Sequence, residues 1–392
     1  MPRVTGSLHE LTIDGDKVAA FVPAPLPPRD PPLALDARAT ELLERAQQGL
    51  RELDSLLGLV PSVEWIVPAF ALKEAVASLE LQGQLEGRKA RLLDLLAHAA
   101  GARVPGSSGD DDVHGVMHAI EALAYCREEL TRPNGARISI RLVNQAHRRL
   151  ARQADGNARP RGLLRAKPIW IGGACPREAS YVPPPPFEVA PLFEELEKFC
   201  HRPSTLPPLV QIGLVYAQFD SIQPYLEHNG RLGRLLITLM LEDRRLLRAP
   251  LLYLSVFFKR RRDDTQRLLA AVRTKGDWES WILFFLEGVA TMAAEAREAA
   301  RGLFALVARD RDAVLSSPRA SVAGLRLLAQ LPRHPVVTVP MTVELLDTTA
   351  PTAAKAVALL QDLGVLQEIS GRRRDRAFSY ARFVELGGEG LE

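Results

Sequence analysis

Apolar residues recur at the spacing of a buried helix face over most of the chain. The clearest run is Ala39-Leu42-Ala46-Leu50-Leu53-Leu57, and the pattern extends from Leu33 to about His98. A Gly-, Ser- and Asp-rich loop at 101–112 interrupts it. The periodicity resumes over His114–Leu130, breaks at the RPNG of 132–135, and returns from about Ser139 to Arg152. Further helices are expected over Phe187–Cys200 and from Pro207 through Ala300. Before the C-terminal stretch one extended segment is convincing: KPIWIGG (167–173) and SYVPPPP (180–186), around ACPRE, predict a β-hairpin. FVPAPLPPRDPP (21–32) predicts an extended strap, since proline lacks the N–H a helix needs.

The last eighty or so residues follow another rhythm. A helix is expected at about Thr342–Leu346, then a turn at Asp347–Pro351. A second helix follows, with Ala356, Leu359, Leu360 and Leu363 on one face and Gly364 as its C-cap. Leu366–Ile369 and Ala377–Phe383 flank a basic turn, Gly371–Arg376, so the order predicts a winged helix. The expected organisation is a helical region over 1–110, a helical core over 111–310 and the winged helix over 315–392.

Composition changes this picture little. The 392 residues allow two or three cores, and 47% apolar with 25% charged is ordinary for a globular protein. There is no run of 18 apolar residues, so no membrane span is expected. MPRVTGSLHELTIDGDK lacks a signal peptide's apolar core, and a cytoplasmic location is expected. Cys126, Cys175 and Cys200 are scattered and read as packing residues. A net charge of +3 does not by itself argue for nucleic acid.

The candidate chemistry sits in YAQFDSIQPYLEHNGRLGRLL, residues 216–236. Gly230 permits close backbone approach, and Asn229 tolerates unusual dihedrals. If a helix opens at Arg231, the preceding amides and the helix dipole make an anion site. Arg231 and Arg234, three apart, can each grip a phosphate, and Glu227 could hold Mg²⁺ bridging those phosphates.

This stretch resembles the Fic family signature HPFxxGNGRxxR with its preceding QFExI. Here the residues run Gln223-Pro224-Tyr225-Leu226-Glu227-His228-Asn229-Gly230-Arg231-Leu232-Gly233-Arg234, after Gln218-Phe219-Asp220-Ser221-Ile222. WIGG with VPPPP is similar to the family's target-docking flap, which makes Trp170, Ile171 and Gly172 flap residues. APLLYLSVFFKRRRDD and TKGDWESWILFFLEGV are similar to its following helices. The resemblance implies a mainly α Fic (fido) core with a small β-hairpin flap, binding a nucleotide such as ATP with Mg²⁺. Active relatives move AMP from ATP to a Ser, Thr or Tyr hydroxyl of a protein target, and relatives often dimerise.

The sequence departs from the signature in four places. Gln223 replaces the general-base histidine, and its amide takes no proton at neutral pH. His228 replaces the first glycine of GNG and is the candidate substitute base. Tyr225 replaces Phe, and Tyr216 stands where a histidine is common. Ser78-Leu79-Glu80-Leu81-Gln82-Gly83 is similar to the inhibitory helix (S/T)xxxE(G/N), with Gln82 in place of the Glu that pairs with the second motif arginine, here Arg234. The implied function is a divergent Fic protein that engages a nucleotide or another phosphorylated ligand with non-standard transfer chemistry. The alternatives are a catalytically inactive protein- or DNA-binding regulator, and slow AMPylation through His228.

Other candidates are weaker. His114 and His118 are spaced for a metal but have no third ligand. GRRRDR (371–376) can touch DNA phosphates, yet the helix before it offers Thr352, Lys355, Gln361 and Asp362, a meagre set for reading bases. Weak, salt-sensitive DNA contact at most is expected there, and contact with a protein is expected at least as much.

Overall fold

The computed structural model describes residues 3–59, 65–81, 92–102, 110–132, 137–152 and 161–389. Helices dominate among these and gather into two compact units. The first comprises Met1–Arg51, His118–Arg248 and Phe257–Thr291; the second comprises Glu52–Met117, Ala249–Val256 and Met292–Glu392. Among the described residues, no helix is long and apolar enough to cross a membrane.

The first unit is built around the helix Pro208–Ile222, every residue of which is buried from Leu209 to Phe219. That explains a sequence apolar all round, where a surface helix would be striped. A Cβ on Gly213 would come within 2.9 Å of Ile282 Cδ1 and 3.0 Å of Phe285 Cδ1. Glycine therefore admits the helix beginning at Trp278, and Trp281 Nε1 donates to the Gly213 carbonyl at 2.8 Å. The helices Pro186–His201 and Asn229–Asp243 pack on other flanks. Tyr216, at the position where a histidine was the common residue, is instead a core ring stacked on Phe258 and Trp281.

Two differences from the sequence reading lie in this unit. An antiparallel hairpin, Gly6–Ile13 with Asp16–Pro23, stands where no strand was read. It turns at Asp14-Gly15, both at positive φ (50° and 89°), as a two-residue hairpin turn of this dipeptide requires. Its Ile13 and Ala20 pack with Val182, and the half-buried Trp170 packs against them. The strap expected over 21–32 thus begins as strand and is irregular from Ala24. The hairpin expected over 167–186 shrinks to one antiparallel bridge, Ile171 with Tyr181. Gly172 and Gly173 take φ of 72° and 75°, and Pro176–Glu178 forms a 3-10 turn. The prolines at 183–186 then offer no N–H to continue a ladder.

In the second unit, the helix Val67–Glu80 packs Phe70 on Tyr253 at 5.5 Å between ring centroids. Glu74 accepts the Ser255 N–H at 2.9 Å, and Lys73 lies over the Tyr253 ring at 4.2 Å. The C-terminal elements are the helices Val322–Gln330, Val339–Leu346 and Ala350–Asp362, the strands Val336–Thr338, Gln367–Glu368 and Ala377–Ser379, and the helix Ala381–Gly388. Ala377–Ser379 is the central strand, antiparallel to both others. The second extended segment, read as far as Phe383, ends at Ser379. Tyr380 is drawn inward, its hydroxyl donating to Asp310 at 2.6 Å, and the chain then turns helical. Gly364, at φ 69°, ends the helix before it as expected.

Candidate functional site

The helix Pro208–Ile222 stops because Gln223 adopts left-handed backbone (φ 48°, ψ 66°), its N–H bonding back to the Phe219 carbonyl at 3.0 Å. Five residues on, His228 is also left-handed (φ 64°) and opens the helix Asn229–Asp243. Such conformations cost non-glycine residues roughly 1–2 kcal/mol each, so the loop between must be held from outside.

Buried side chains hold it. Asn229 closes the loop on itself: its Oδ1 accepts the Tyr225 N–H at 2.9 Å and its Nδ2 donates to the Tyr225 carbonyl at 2.7 Å. The Tyr225 hydroxyl donates to Asn144 Oδ1 at 2.6 Å, and its ring stacks on His147 at 4.2 Å. Arg165, only 2% exposed, donates through Nε to the Gln223 carbonyl at 2.8 Å and through Nη2 to the Pro184 carbonyl at 2.6 Å. Its own N–H bonds to the Pro224 carbonyl at 2.9 Å. One guanidinium therefore ties the motif loop to the proline run of the flap. Tyr181 adds a second tie, donating its hydroxyl to the Ser221 carbonyl at 2.5 Å.

Gln223 Nε2 donates to the Asp220 carbonyl at 2.8 Å and to Asp220 Oδ1 at 3.2 Å. The amide is folded back on the preceding helix as a donor and offers no proton acceptor through that nitrogen. Asp220 is held by Arg273 Nη1 at 3.0 Å, whose guanidinium lies 4.1 Å over the Tyr181 ring. Burial pushes the Asp220 carboxyl above its usual range, while Arg273 and Arg234 draw it back.

On the other side of the loop, Arg231 and Arg234 are both buried. Burial, then the neighbouring Arg234, brings the Arg231 guanidinium down to about 10, still cationic at neutral pH. Two cations in one another's field at a helix N-terminus suit an anion, because the helix's first amides have no intrahelical acceptor. Glu227 is an exposed carboxylate on the same loop. Among the described residues, no three His, Cys, Asp or Glu side chains cluster as a metal cage. A single carboxylate instead suits a hard cation shared with ligand phosphates. Gly230 is the second residue of the helix, and the His228 ring lies 6.1 Å from that of His147.

The motif residues 223–234 thus lie on one helix–loop–helix, with Trp170, Ile171 and Gly172, expected as flap residues, in the same unit. Ser78 is buried in the helix Val67–Glu80 of the other unit, while Gln82 and Gly83 lie outside the described residues. His114 stacks edge-on against His98 at 5.4 Å in the second unit. The sequence reading did not single out Asn144, His147, Arg165 or Arg273. None stands in a motif, and their roles come from distant backbone brought alongside.

Residues 137–241 match the Fic/DOC family, and residues 40–128 match the Fic/DOC family N-terminal region. The chain belongs to the Fic/DOC family. Its fold is similar to a Fic family protein from Desulfovibrio desulfuricans G20, at 19% identity and a TM-score of 0.56, over 89% of this chain and 98% of that one. It is also similar to a segment of Fic-1 from C. elegans, at 17% identity and a TM-score of 0.50, over 69% of this chain and 74% of that one. The mainly helical class with small antiparallel sheets is that of a Fic fold. The loop described above lies inside the matched Fic/DOC region.

His147 in this Fic domain should make the loop sensitive to acid. Its Nδ1 accepts the Gly162 N–H at 2.9 Å, so the neutral ring carries its proton on Nε2. Burial lowers its pKa to about 4, with the Glu227 backbone opposing. The unfolded chain protonates near 6.5, whereas the native ring stays neutral down to about 4. Stability contributed by the neutral ring is therefore complete above pH 6.5 and lost as pH falls to about 4, by at most about 3 kcal/mol. In His147→Gln the fall in urea midpoint between pH 7 and pH 4.5 should be smaller than in the unsubstituted protein. An equal fall in both would assign the acid sensitivity elsewhere.

Proposed function

We propose that this Fic protein binds the phosphates of a nucleotide, or of another phosphorylated ligand, at residues 223–234. Its transfer chemistry runs without a base at position 223. The observation that carries this is the contrast within the loop: two buried arginines in one another's field beside a helix N-terminus, against Gln223 committed as a donor to Asp220. Asn229 shapes the turn, Arg231 and Arg234 grip phosphate, and the amides of Asn229 and Gly230 face the anion. Glu227 would hold Mg²⁺, which neutralises phosphate charge when bound. The segment around Trp170, Ile171 and Gly172 takes a protein target. The C-terminal elements read as a winged helix.

The test is affinity. Charge-assisted hydrogen bonds contribute about 1.5–3 kcal/mol each. Arg231→Ala should therefore weaken binding of Mg²⁺-ATP by roughly tenfold or more in calorimetry, or that of whichever phosphorylated compound a thermal-shift screen selects. Unchanged affinity with the fold intact would make the loop a relic. That outcome leaves the second reading, a Fic protein acting by binding alone, which the engaged Gln223 amide also favours.

A further inference from the structure

The C-terminal elements of the second unit enclose a groove of about 340 Å³ that the Fic chemistry does not use. Val339, Pro340, Ala354, Val357, Ala358 and Phe378 form its apolar lining. Ala354 and Ala358 lie one turn apart on the helix Ala350–Asp362 and are exposed, as is Pro340. A surface helix ordinarily shows polar side chains to water, so these methyls leave an apolar face open where a larger residue would close it.

The rim has the opposite character. Arg373 and Arg376 line the groove, and Arg372 and Arg374 stand beside them in the same exposed turn. Arg376 is oriented by the Phe378 ring, its guanidinium 4.9 Å from the ring centroid. The acidic groups facing this rim are Asp375, which also lines the groove, and Glu368, whose field reaches Arg376. Glu368 is largely occupied inward: its Oε1 accepts the Ser370 and Gly371 N–H groups at 2.8 and 3.1 Å. Four arginines against these two carboxylates leave the rim cationic.

An apolar floor with a cationic rim is complementary to a peptide that inserts one apolar side chain and flanks it with carboxylates. The volume lies at the small end of the range for ligand pockets, about 300–1,000 Å³, which suits an inserted side chain better than a nucleotide. Duplex DNA fits less well. The groove face of the helix gives a base edge Ala354, Val357, Ala358 and Gln361, and only the Gln361 side chain can hydrogen-bond there. Asp362, one residue further, is a carboxylate paired with Arg319 and offers a phosphate no donor.

We propose that this groove is a docking site for an acidic peptide segment of a partner protein, anchored by one leucine- or phenylalanine-sized side chain. Its lining includes none of residues 223–234, so neither site depends on the other being correctly assigned.

The experiment is a phage selection of random 12-residue peptides on the full chain. The enriched peptide is then synthesised, labelled and titrated by fluorescence anisotropy. Enriched sequences should carry aspartate or glutamate beside a large apolar residue. Charge reversal in Arg373→Glu/Arg376→Glu should weaken binding at least tenfold, as should filling the groove with Ala358→Trp. Both variants change exposed positions and should keep the thermal midpoint, which is checked. Raising salt should weaken binding of the unsubstituted protein. If no peptide is enriched whose binding depends on these residues, the proposal falls. It falls equally if a 20-base-pair duplex binds more tightly than every selected peptide and loses that affinity in Arg373→Glu/Arg376→Glu. The groove would then be a nucleic-acid face.

Discussion

Gln223→His should raise AMP transfer from ATP to a protein acceptor by roughly 10²–10⁴-fold, the usual contribution of general-base assistance. The unsubstituted chain should sit at background. The backbone is already prepared for the exchange: position 223 is left-handed at φ 48°, a region histidine tolerates better than most residues. A histidine there can give its Nδ1–H to the Asp220 carbonyl, which now accepts the glutamine amide, leaving Nε2 as the proton acceptor. Activity of the variant should therefore rise with pH through roughly 6.5 as the ring loses its proton. His228→Ala should leave that gain in place. Robust transfer by the unsubstituted chain would refute the reading. No gain in Gln223→His, with Mg²⁺-ATP still bound, would mean that more than the base is missing and would favour the binding-only alternative.

The second large effect is expected at Arg165. Its removal leaves the Gln223 and Pro184 carbonyls, bonded at 2.8 and 2.6 Å, without donors inside the protein. Each unsatisfied buried group costs about 1–3 kcal/mol, so Arg165→Ala should destabilise the protein by roughly 3–4 kcal/mol. The damage should be local first. In hydrogen exchange, amides over 223–232 should lose protection well before those of the helix Trp278–Leu315. Arg165→Lys should recover only part, because an ammonium cannot reproduce the planar fork that reaches separate carbonyls. A loss below about 1 kcal/mol, with unchanged exchange in the loop, would show that water or neighbouring groups replace the guanidinium.

The sequence made much of this legible, unevenly and for physical reasons. The helical run from Ala39 to Leu57 is buried at each position the spacing marked, because one face packs and the periodicity records it. The motif loop was readable because its residues are contiguous. The N-terminal hairpin was missed although Asp14-Gly15 stood in it. Most of its first strand is exposed or half-buried, so its alternation carries little contrast between a wet and a dry face. The flap was read as a fuller hairpin because its residue types favour strand, while the glycines and prolines that limit it to one bridge act through backbone geometry. Arg165, Asn144 and His147 were invisible for another reason. Each reaches the motif loop from far off in sequence, as Arg165 on Gln223 and Asn144 on Tyr225 do at separations of 58 and 81. No local pattern encodes such a contact.

The left-handed turn at position 223 has a consequence for how this chain can change. The loop is gripped through main-chain atoms, by Arg165 on the Gln223 carbonyl and by Asn229 on both polar atoms of the Tyr225 backbone. Among the described residues, the side chain at 223 hydrogen-bonds to Asp220. The mounting and the tool are thus separate parts. Asparagine, aspartate, glycine and histidine can each occupy this turn at modest conformational cost, as glutamine does here, so the side chain at 223 can be exchanged in one step while the frame around it stays assembled. Such a position lets a transferase and a silent binder differ by one codon, and lets either be recovered from the other.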